Sequence, residues 1–423
     1  MLDIKFIREN PDLVRQSIKN KNESADIDKI LEIDQERRTI IGEVEKLKAL
    51  RNSVSEQIAL KKRNKQDASD DIARMKAVGE KIASFDINLR TIDEQLDKLL
   101  KWVPNIPDPS VPVGGEENNV TVKEWGKIPQ LGFKPLTHWE LGEKFNILDL
   151  PAGAKIAGSG FYVLKGLGAK LQRAMVNFML DTHIKDGFTE IHAPYLANTE
   201  TMTGTGQLPK LAEDMYKLQD ENLYLIPTAE VPVSNLHRDE ILLEDQLPLY
   251  YVAHTPCFRR EAGAAGKDTR GMIRVHQFDK VELVKITHPD KSYEEHETLL
   301  QQAEKIIQAL NIPYRVRLLA TGDLSFAGAK CYDIEIWAAG LGKYLEVSSV
   351  SNFESFQARR MNTRFRDKDK KVHFVHTLNG SGVALPRLII TVLENNQTEY
   401  GTILIPEAIR PYMGGIAEIT KSG

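Results

Sequence analysis

An α+β fold is predicted for this chain: an antiparallel two-helix coiled-coil arm, then an antiparallel sheet flanked by helices. Three observations predict it. Apolar residues recur at heptad spacing in two runs between about 28 and 101, a proline-rich stretch follows, and from about 120 strand-like runs succeed one another with few helices between them.

The arm comes first. Its first run is Ile30, Ile33, Arg37, Ile40, Val44, Leu47, Arg51, Val54 and Ile58; its second is Met75, Val78, Ile82, Phe85, Leu89, Ile92, Leu96 and Leu99. Both follow the 3-4 step of a coiled-coil seam, broken only by the two arginines. The polar stretch 61–70 is too short for anything but a turn, so the helices must run antiparallel. Facing pairs across the hairpin then share one index sum, 132, from Val54/Val78 to Ile33/Leu99. Helices of some 35 residues make an arm roughly 50 Å long. With no third apolar face to dock, it is expected to project into solvent.

The arm carries charge unevenly. Between positions 46 and 65, Lys46, Lys48, Arg51, Lys61, Lys62, Arg63 and Lys65 face a single acid, Glu56, whereas the arm as a whole is nearly neutral. A distal basic patch of this kind suits a phosphate backbone, bound with release of counterions. A solvated coiled-coil surface is the competing explanation. The chain's net charge of −4 means that any nucleic acid must be met by such a patch and not by the overall field.

Prolines 104, 107, 109 and 112, followed by Gly114 and Gly115, form neither helix nor central strand. The expected division is therefore an N-terminal domain over 1–102, a linker over 103–119 and a C-terminal domain over 120–423. In the C-terminal part, helices are predicted near 169–183 and 293–310. Strands are predicted around 249–254, 272–284, 315–319, 332–337 and 344–350. Few crossover helices separate them, which implies antiparallel pairing. Neither G-x-G-x-x-G nor G-x-x-x-x-G-K-[ST] occurs, which excludes the usual dinucleotide and P-loop sites.

Composition narrows the class further. Apolar residues are 41% and charged residues 27%, no run approaches the roughly 18 apolar residues of a membrane span, and the first residues lack an apolar signal core. Two cysteines, Cys257 and Cys331, exclude a disulfide framework and a thiolate zinc cage, and point to a reducing cytoplasm. Both are expected to be buried apolar residues.

Period-2 geometry organises the polar residues of 272–283. Arg274, His276, Phe278, Lys280 and Glu282 fall on one face, Val275, Val281 and Leu283 on the other. Arg259 and Glu261 likewise point together, as a structural ion pair also would. Between these strands, 262–271 is rich in glycine and alanine and reads as a flap carrying Lys267 and Arg270.

These residues resemble a known family. Phe258–Glu261, the flap and the return strand 276–282 resemble motif 2 of class II aminoacyl-tRNA synthetases. Residues 185–196, with Pro194, resemble motif 1, and 379–390, with Arg387 opening a helix, resemble motif 3. With Thr-Ala-Glu at 228–230, Glu-Val-Ser-Ser at 346–349 and the arm in front, the whole chain is similar to bacterial-type seryl-tRNA synthetases. Where the family usually has glycine before the motif 3 arginine, this chain has Pro386; proline is acceptable in a first helical turn, so Arg387 is expected to keep its direction.

The resemblance implies a ligase that joins L-serine to ATP as seryl-adenylate, releases pyrophosphate, and passes serine to the 3′ end of tRNA(Ser); tRNA(Sec) stays open as a second substrate. It implies that Arg259 bridges the serine carboxylate and the α-phosphate, while Phe278 stacks on adenine and Arg387 covers the other face. Arg260, Glu261, Arg274 and Val275 complete the nucleotide site. Glu346, Val347, Ser348 and Ser349 lie against ATP, with Mg²⁺ on Glu346 and Ser349 and no zinc. Strict alternation places Ser348, not Ser349, on the side of Glu346, so the two assignments conflict. Thr228, Ala229, Glu230, Glu282, Asn379 and Ser381, with Arg259, form the serine pocket; each alone reads equally as a cap, an ion pair or a turn residue. Motif 1 implies a homodimer. Threonyl and prolyl relatives carry a C-terminal anticodon domain, for which the 36 residues after Arg387 are too few. Armless carrier-protein ligases lack the 30–100 hairpin, and a catalytically dead scaffold has no need of Arg259, Glu261, Glu346 and Arg387.

Overall fold

The computed structural model describes residues 1–262 and 270–421. These divide into two compact units, Met1–Pro104 and Asn105–Gly423.

The first unit opens with two short helices, α1 (Ile4–Glu9) and α2 (Pro11–Asn20), followed by the long pair α3 (Ile27–Arg63) and α4 (Ser69–Leu100). The Asp26 carboxylate caps α3 by accepting from the Lys29 amide at 2.9 Å. The heptad positions form the seam: Ile30, Ile33, Val44, Val54, Ile82, Ile92 and Leu96 are buried, and the other seam residues are half-buried except Arg51, which is exposed. Arg37 leaves the apolar stripe to pair with Asp93 across the hairpin at 2.5 Å. The turn is shorter than the sequence suggested. Lys61, Lys62 and Arg63 form the last turn of α3, where positive charge offsets the unsatisfied carbonyl end of the helix, and α4 begins at Ser69 with Asp70 and Asp71 at its own N-terminus. Helix-end electrostatics thus extended both helices into a stretch with no apolar pattern.

In the second unit the prolines do not make a free tether. The Asn105 and Asp108 amides donate to Phe326 and Ala329 carbonyls, and Thr321 and Gly322 amides donate to Pro112 and Gly114, so 105–114 lies fixed along this unit. Eight of the strands that follow are β1 (Val120–Trp125), β2 (Thr189–Glu190), β3 (Leu249–Phe258), β4 (Gln277–Thr287), β5 (Tyr314–Leu318), β6 (Lys330–Ala338), β7 (Lys343–Asn352) and β8 (His376–Ala384). They form one sheet in the order β1-β5-β6-β7-β8-β4-β3-β2, antiparallel except for the short parallel pairing of β2 with β3.

Alternation gives the sheet two unlike faces. Leu283, Ile334, Ile336, Val350 and Leu378 pack with helices α6 (Leu167–Lys185), α8 (Ser292–Ala309) and α10 (Leu385–Asn395), and this layer is the main core; α5 (His138–Phe145), α7 (Glu230–Ser234) and α9 (Phe356–Met361) are shorter. Most polar strand residues fall on the opposite face. Both cysteines are buried and free, as the sequence reading held. Among the described residues no helix is long and apolar enough to cross a membrane.

Candidate functional site

The polar face of β4, β6, β7 and β8 floors a cavity of about 670 Å³. Its walls come from the Thr205–Met215 stretch, the segment after β3, and the start of α10. Of the residues singled out from the sequence, the cavity is lined by Thr228, Glu230, Arg259, Glu261, Arg274, Val275, Phe278, Glu282, Glu346, Val347, Ser349, Asn379, Ser381 and Arg387. The fold gathers them from six separate stretches of chain.

At one end sit two buried carboxylates. The Glu282 carboxylate meets the Lys280 ammonium at 2.5 Å, and the same ammonium donates to the Thr228 hydroxyl at 2.8 Å. Thr228 also accepts from the Glu230 amide at 3.2 Å, so the cap and ion-pair roles weighed for these residues are real and coexist with their place in the pocket. Glu230, at the first position of α7, receives the Gln357 amide at 2.6 Å. Burial, and then the nearby Glu282 charge, push its carboxyl up to about 7. Asn379 and Ser381 complete this end, which is small and polar on every side.

The other end is built from guanidinium groups. Arg259 lies 5.2 Å over the Phe278 ring, with its Nε toward the Pro227 carbonyl at 3.4 Å. Its backbone is pinned by His276, whose carbonyl accepts from the Arg259 amide and whose Nδ1 lies 2.9 Å from the Arg259 carbonyl. Glu261 takes a left-handed backbone (φ 51°) just beyond the strand and pairs with Arg274 at 2.6 Å, not with Arg259. Arg387 donates to the Ile273 carbonyl at 3.1 Å and the Glu346 carbonyl at 2.6 Å. Pro386 occupies the first turn of α10, where its missing amide costs nothing, and Arg387 does face the cavity.

Residues 272–276 lie outside strand β4, which begins at Gln277, so the alternation drawn for 272–283 fails over its first half. Side-chain anchors replace ladder bonds there. The Met272 amide donates to His138 Nε2 at 3.1 Å, and His138 Nδ1 meets the buried Glu394 carboxylate at 2.8 Å. Gly271 (φ +77°) passes so close that an added Cβ would lie 2.0 Å from His138 Nε2. Val275 can therefore line the cavity beside Arg274. Arg270 stacks on Trp139 at 4.6 Å. The rest of the flap, with Lys267, lies outside the described residues.

The conflict between Ser348 and Ser349 is resolved by a β-bulge. In the β6–β7 pairing Ser348 faces Ile334 but Glu346 faces Glu335, which leaves Val347 as an extra residue. Glu346 and Ser349 thereby reach the cavity together, while Ser348 turns away and donates to the Ser381 carbonyl at 2.5 Å. Ser349 in turn donates to Asp333, a cavity residue that the sequence reading passed over. Burial and the Glu346 charge push the Asp333 carboxyl well above the usual range. Glu346, Ser349 and Asp333 offer only hard oxygen donors, which fits Mg²⁺. Cys331 lies 3.6 Å from Asp333, but burial pushes its thiol up, away from the thiolate that softer metals prefer.

Three of the residues singled out do not line the cavity: Ala229 is buried behind it, Ser348 faces elsewhere, and Arg260 is exposed with its amide on the Asp214 carbonyl. At the arm tip, Lys61 is tied to Asp71 at 2.6 Å, leaving Lys62, Arg63 and Lys65 as the exposed cations there. Asp333, Gln357 and the His138–Glu394 pair are additions. Alternation along β6, which sets Cys331, Asp333 and Glu335 on one side and Tyr332, Ile334 and Ile336 on the other, was a usable signal for Asp333; nothing local marked the others.

A cavity floored by antiparallel strands, with arginines after one strand and at the head of the following motif 3 helix, defines a class II aminoacyl-tRNA synthetase. Residues 216–396 match the "tRNA synthetase class II core domain (G, H, P, S and T)" and residues 1–107 match the "Seryl-tRNA synthetase N-terminal domain". The chain is 52% identical to the serine–tRNA ligase of Thermodesulfovibrio yellowstonii, over 98% of this chain and 99% of that one, and 53% identical to that of Bacillus pumilus, over 98% and 99%. Its fold matches the seryl-tRNA synthetase of Pyrococcus horikoshii complexed with ATP, with a TM-score of 0.93 and 40% identity over 99% of each chain. The chain belongs to the seryl-tRNA synthetase family.

Proposed function

We infer that this chain activates L-serine with ATP and transfers the seryl group to tRNA. The observation that carries this reading is that Arg259 and Arg387 line one cavity, whose inner end is closed by Thr228, Glu230, Glu282, Asn379 and Ser381. That end suits a small amino acid with a hydroxyl. A serine carboxylate oxygen attacks the α-phosphorus, the bond to the bridging oxygen breaks, and pyrophosphate leaves. The carboxylate is already a nucleophile, so no general base is required. What the site supplies is alignment of two anions and positive charge where negative charge grows. Arg259 bridges the carboxylate and the α-phosphate, a task suited to a planar fork of donors. Phe278 and Arg387 sandwich the adenine, and Arg274 and Glu261 with the backbone at 272–275 set its edge. Glu346 and Ser349, with Asp333 behind them, would hold Mg²⁺, which would neutralise phosphate charge when ATP is bound. The terminal ribose hydroxyl of the tRNA then attacks the seryl carbonyl and AMP leaves.

A pocket that satisfies a hydroxyl leaves buried partners unpaired when alanine enters, which discriminates by roughly 10⁴ without editing. ATP–pyrophosphate exchange tests the assignment. Exchange driven by serine and not by alanine, threonine or proline is expected; faster exchange with another amino acid rejects it.

The basic arm tip supports binding of a tRNA backbone and with it charging of tRNA(Ser), tRNA(Sec) staying open as a second acceptor, and the two free, buried cysteines support a reducing cytoplasm. Replacing Lys62, Arg63 and Lys65 with alanine is expected to weaken tRNA charging. It should also lower the slope of log(kcat/KM) against log salt by up to about three, while adenylate formation is unchanged. Lys61→Ala alone should do less, because its charge already meets Asp71. Equal loss of both activities would count against the arm's role. Motif 1 supports a two-fold homodimer. Sedimentation is expected to give twice the chain mass, and a fully active monomer would contradict it.

A further inference from the structure

Gln357 sits on α9, wholly buried, one layer behind the cavity and not in its lining. Its amide is bonded at each end. Nε2 donates to Glu230 Oε1 at 2.6 Å and to the Thr205 carbonyl at 3.0 Å, while Oε1 accepts from the Thr377 hydroxyl at 2.7 Å. Because the Thr205 carbonyl can only accept, it fixes which end of the amide is nitrogen, so a donor faces Glu230. Nothing in the reaction read above uses this side chain.

We propose that Gln357 is a positioning residue for serine: it holds the Glu230 carboxylate in place as the counter-charge for the substrate's ammonium. The proposal rests on the serine pocket assigned above. Two carboxylates face that pocket. Glu282 is already in contact with Lys280 at 2.5 Å, so Glu230 is the one whose direct partner is neutral. The chemistry of that partner matters. A lysine or arginine behind Glu230 would neutralise it permanently and compete with the incoming ammonium. An amide orients the carboxylate and stabilises its ionised form while leaving its charge for the ligand. The pocket thus pairs one carboxylate internally and keeps one for substrate.

A pH signature follows. The groups facing Glu230 are Glu282 and Lys280 from β4, Asn379 from β8 and Gln357 from α9. Burial and Glu282 raise its carboxyl to about 7, whereas Gln357, Lys280 and Asn379 oppose the rise. The ionised form binds the ammonium, so kcat/KM for serine climbs with pH through this range. Removing the Gln357 donor raises the carboxyl further and moves that limb to higher pH.

The test compares Gln357→Met, a near-isosteric variant without the donor, with Glu230→Gln as a control, using serine-dependent exchange as a function of pH. For Gln357→Met, KM for serine is expected to rise ~10–100-fold with KM for ATP unchanged, and the acid limb to shift to higher pH. Thr377→Val, which removes the bond to the amide oxygen and loosens the Gln357 side chain, gives the same changes at smaller size and serves if the methionine variant does not fold. Glu230→Gln should raise KM for serine and abolish the limb. If Glu230→Gln has that effect while both Gln357→Met and Thr377→Val keep wild-type serine KM and pH profile, the positioning role is overturned. If Glu230→Gln itself leaves serine binding intact, the serine-pocket reading fails instead.

Discussion

Arg259→Lys is expected to lower serine-dependent ATP–pyrophosphate exchange by ~10²–10³-fold while leaving the folded chain's melting temperature nearly unchanged. The geometry gives the reason. The Arg259 guanidinium lies over Phe278, 5.2 Å from the ring centre, with its Nε directed to Pro227, which leaves the remaining donors as a fork toward the cavity. Lysine retains the charge but presents it as a point on a flexible stem, without the planar fork of donors. Two anions held in line need the fork, because charge alone does not fix their relative orientation. Stability should hardly respond, since the group lines an open cavity and forms no buried ion pair among the described residues. Exchange within a few-fold of wild type in the lysine variant would mean that Arg259 supplies charge only, or that adenylation occurs elsewhere.

The second large effect separates stability from activity. Lys280 and Glu282 are almost completely buried and touch at 2.5 Å. Glu282→Leu alone strands a buried ammonium whose remaining hydrogen-bond partner among the described residues is the Thr228 hydroxyl, at a cost of about 3–5 kcal/mol. Calorimetry should then find a melting temperature lower by roughly 5–10 °C. Removing both charges, in Lys280→Met with Glu282→Leu, should recover most of that loss, because an apolar pair replaces a desolvated ionic one. Exchange should stay at least about 10²-fold down in both variants, since the serine pocket has lost a polar wall. A stable, active double variant would show that the pair serves the fold and not the substrate.

How much of this was legible in the sequence depends on the range of the interaction concerned. The arm was readable because a heptad seam is a local pattern: Ile30 to Ile58 and Met75 to Leu99 specify facing surfaces, and the constant index sum specifies their register. Its tip was misjudged where Lys61, Lys62 and Arg63 continue the helix for electrostatic reasons that no apolar period reports. The sheet's two faces followed from alternation until the backbone departed from it. At Val347 one extra residue reverses the parity, bringing Ser349 and not Ser348 beside Glu346. At 272–276 the chain is anchored by His138 and Glu394, residues more than a hundred positions away, so no local pattern applied.

The same distinction governs the site. Arg259, Glu261 and Arg387 were recognisable because they sit in short motifs with fixed spacing. Asp333 and Gln357 act through neighbours brought up by other strands and helices, Ser349 in one case and Glu230 with Thr377 in the other. A glutamine on a six-residue helix carries no sequence mark of that role. The proline-rich segment taught a related lesson. Its composition excluded helix and central strand, but the carbonyls and amides of 105–114 still found partners along the second unit.

A crystal structure of the protein with a non-hydrolysable seryl-adenylate analogue would weigh most. The adenine should lie between Phe278 and Arg387, the phosphate mimic against Arg259, and the seryl ammonium and hydroxyl among Thr228, Glu230, Glu282, Asn379 and Ser381. An analogue seated away from both arginines, or inserted with its amino-acid end pointing out of that pocket, would contradict the account.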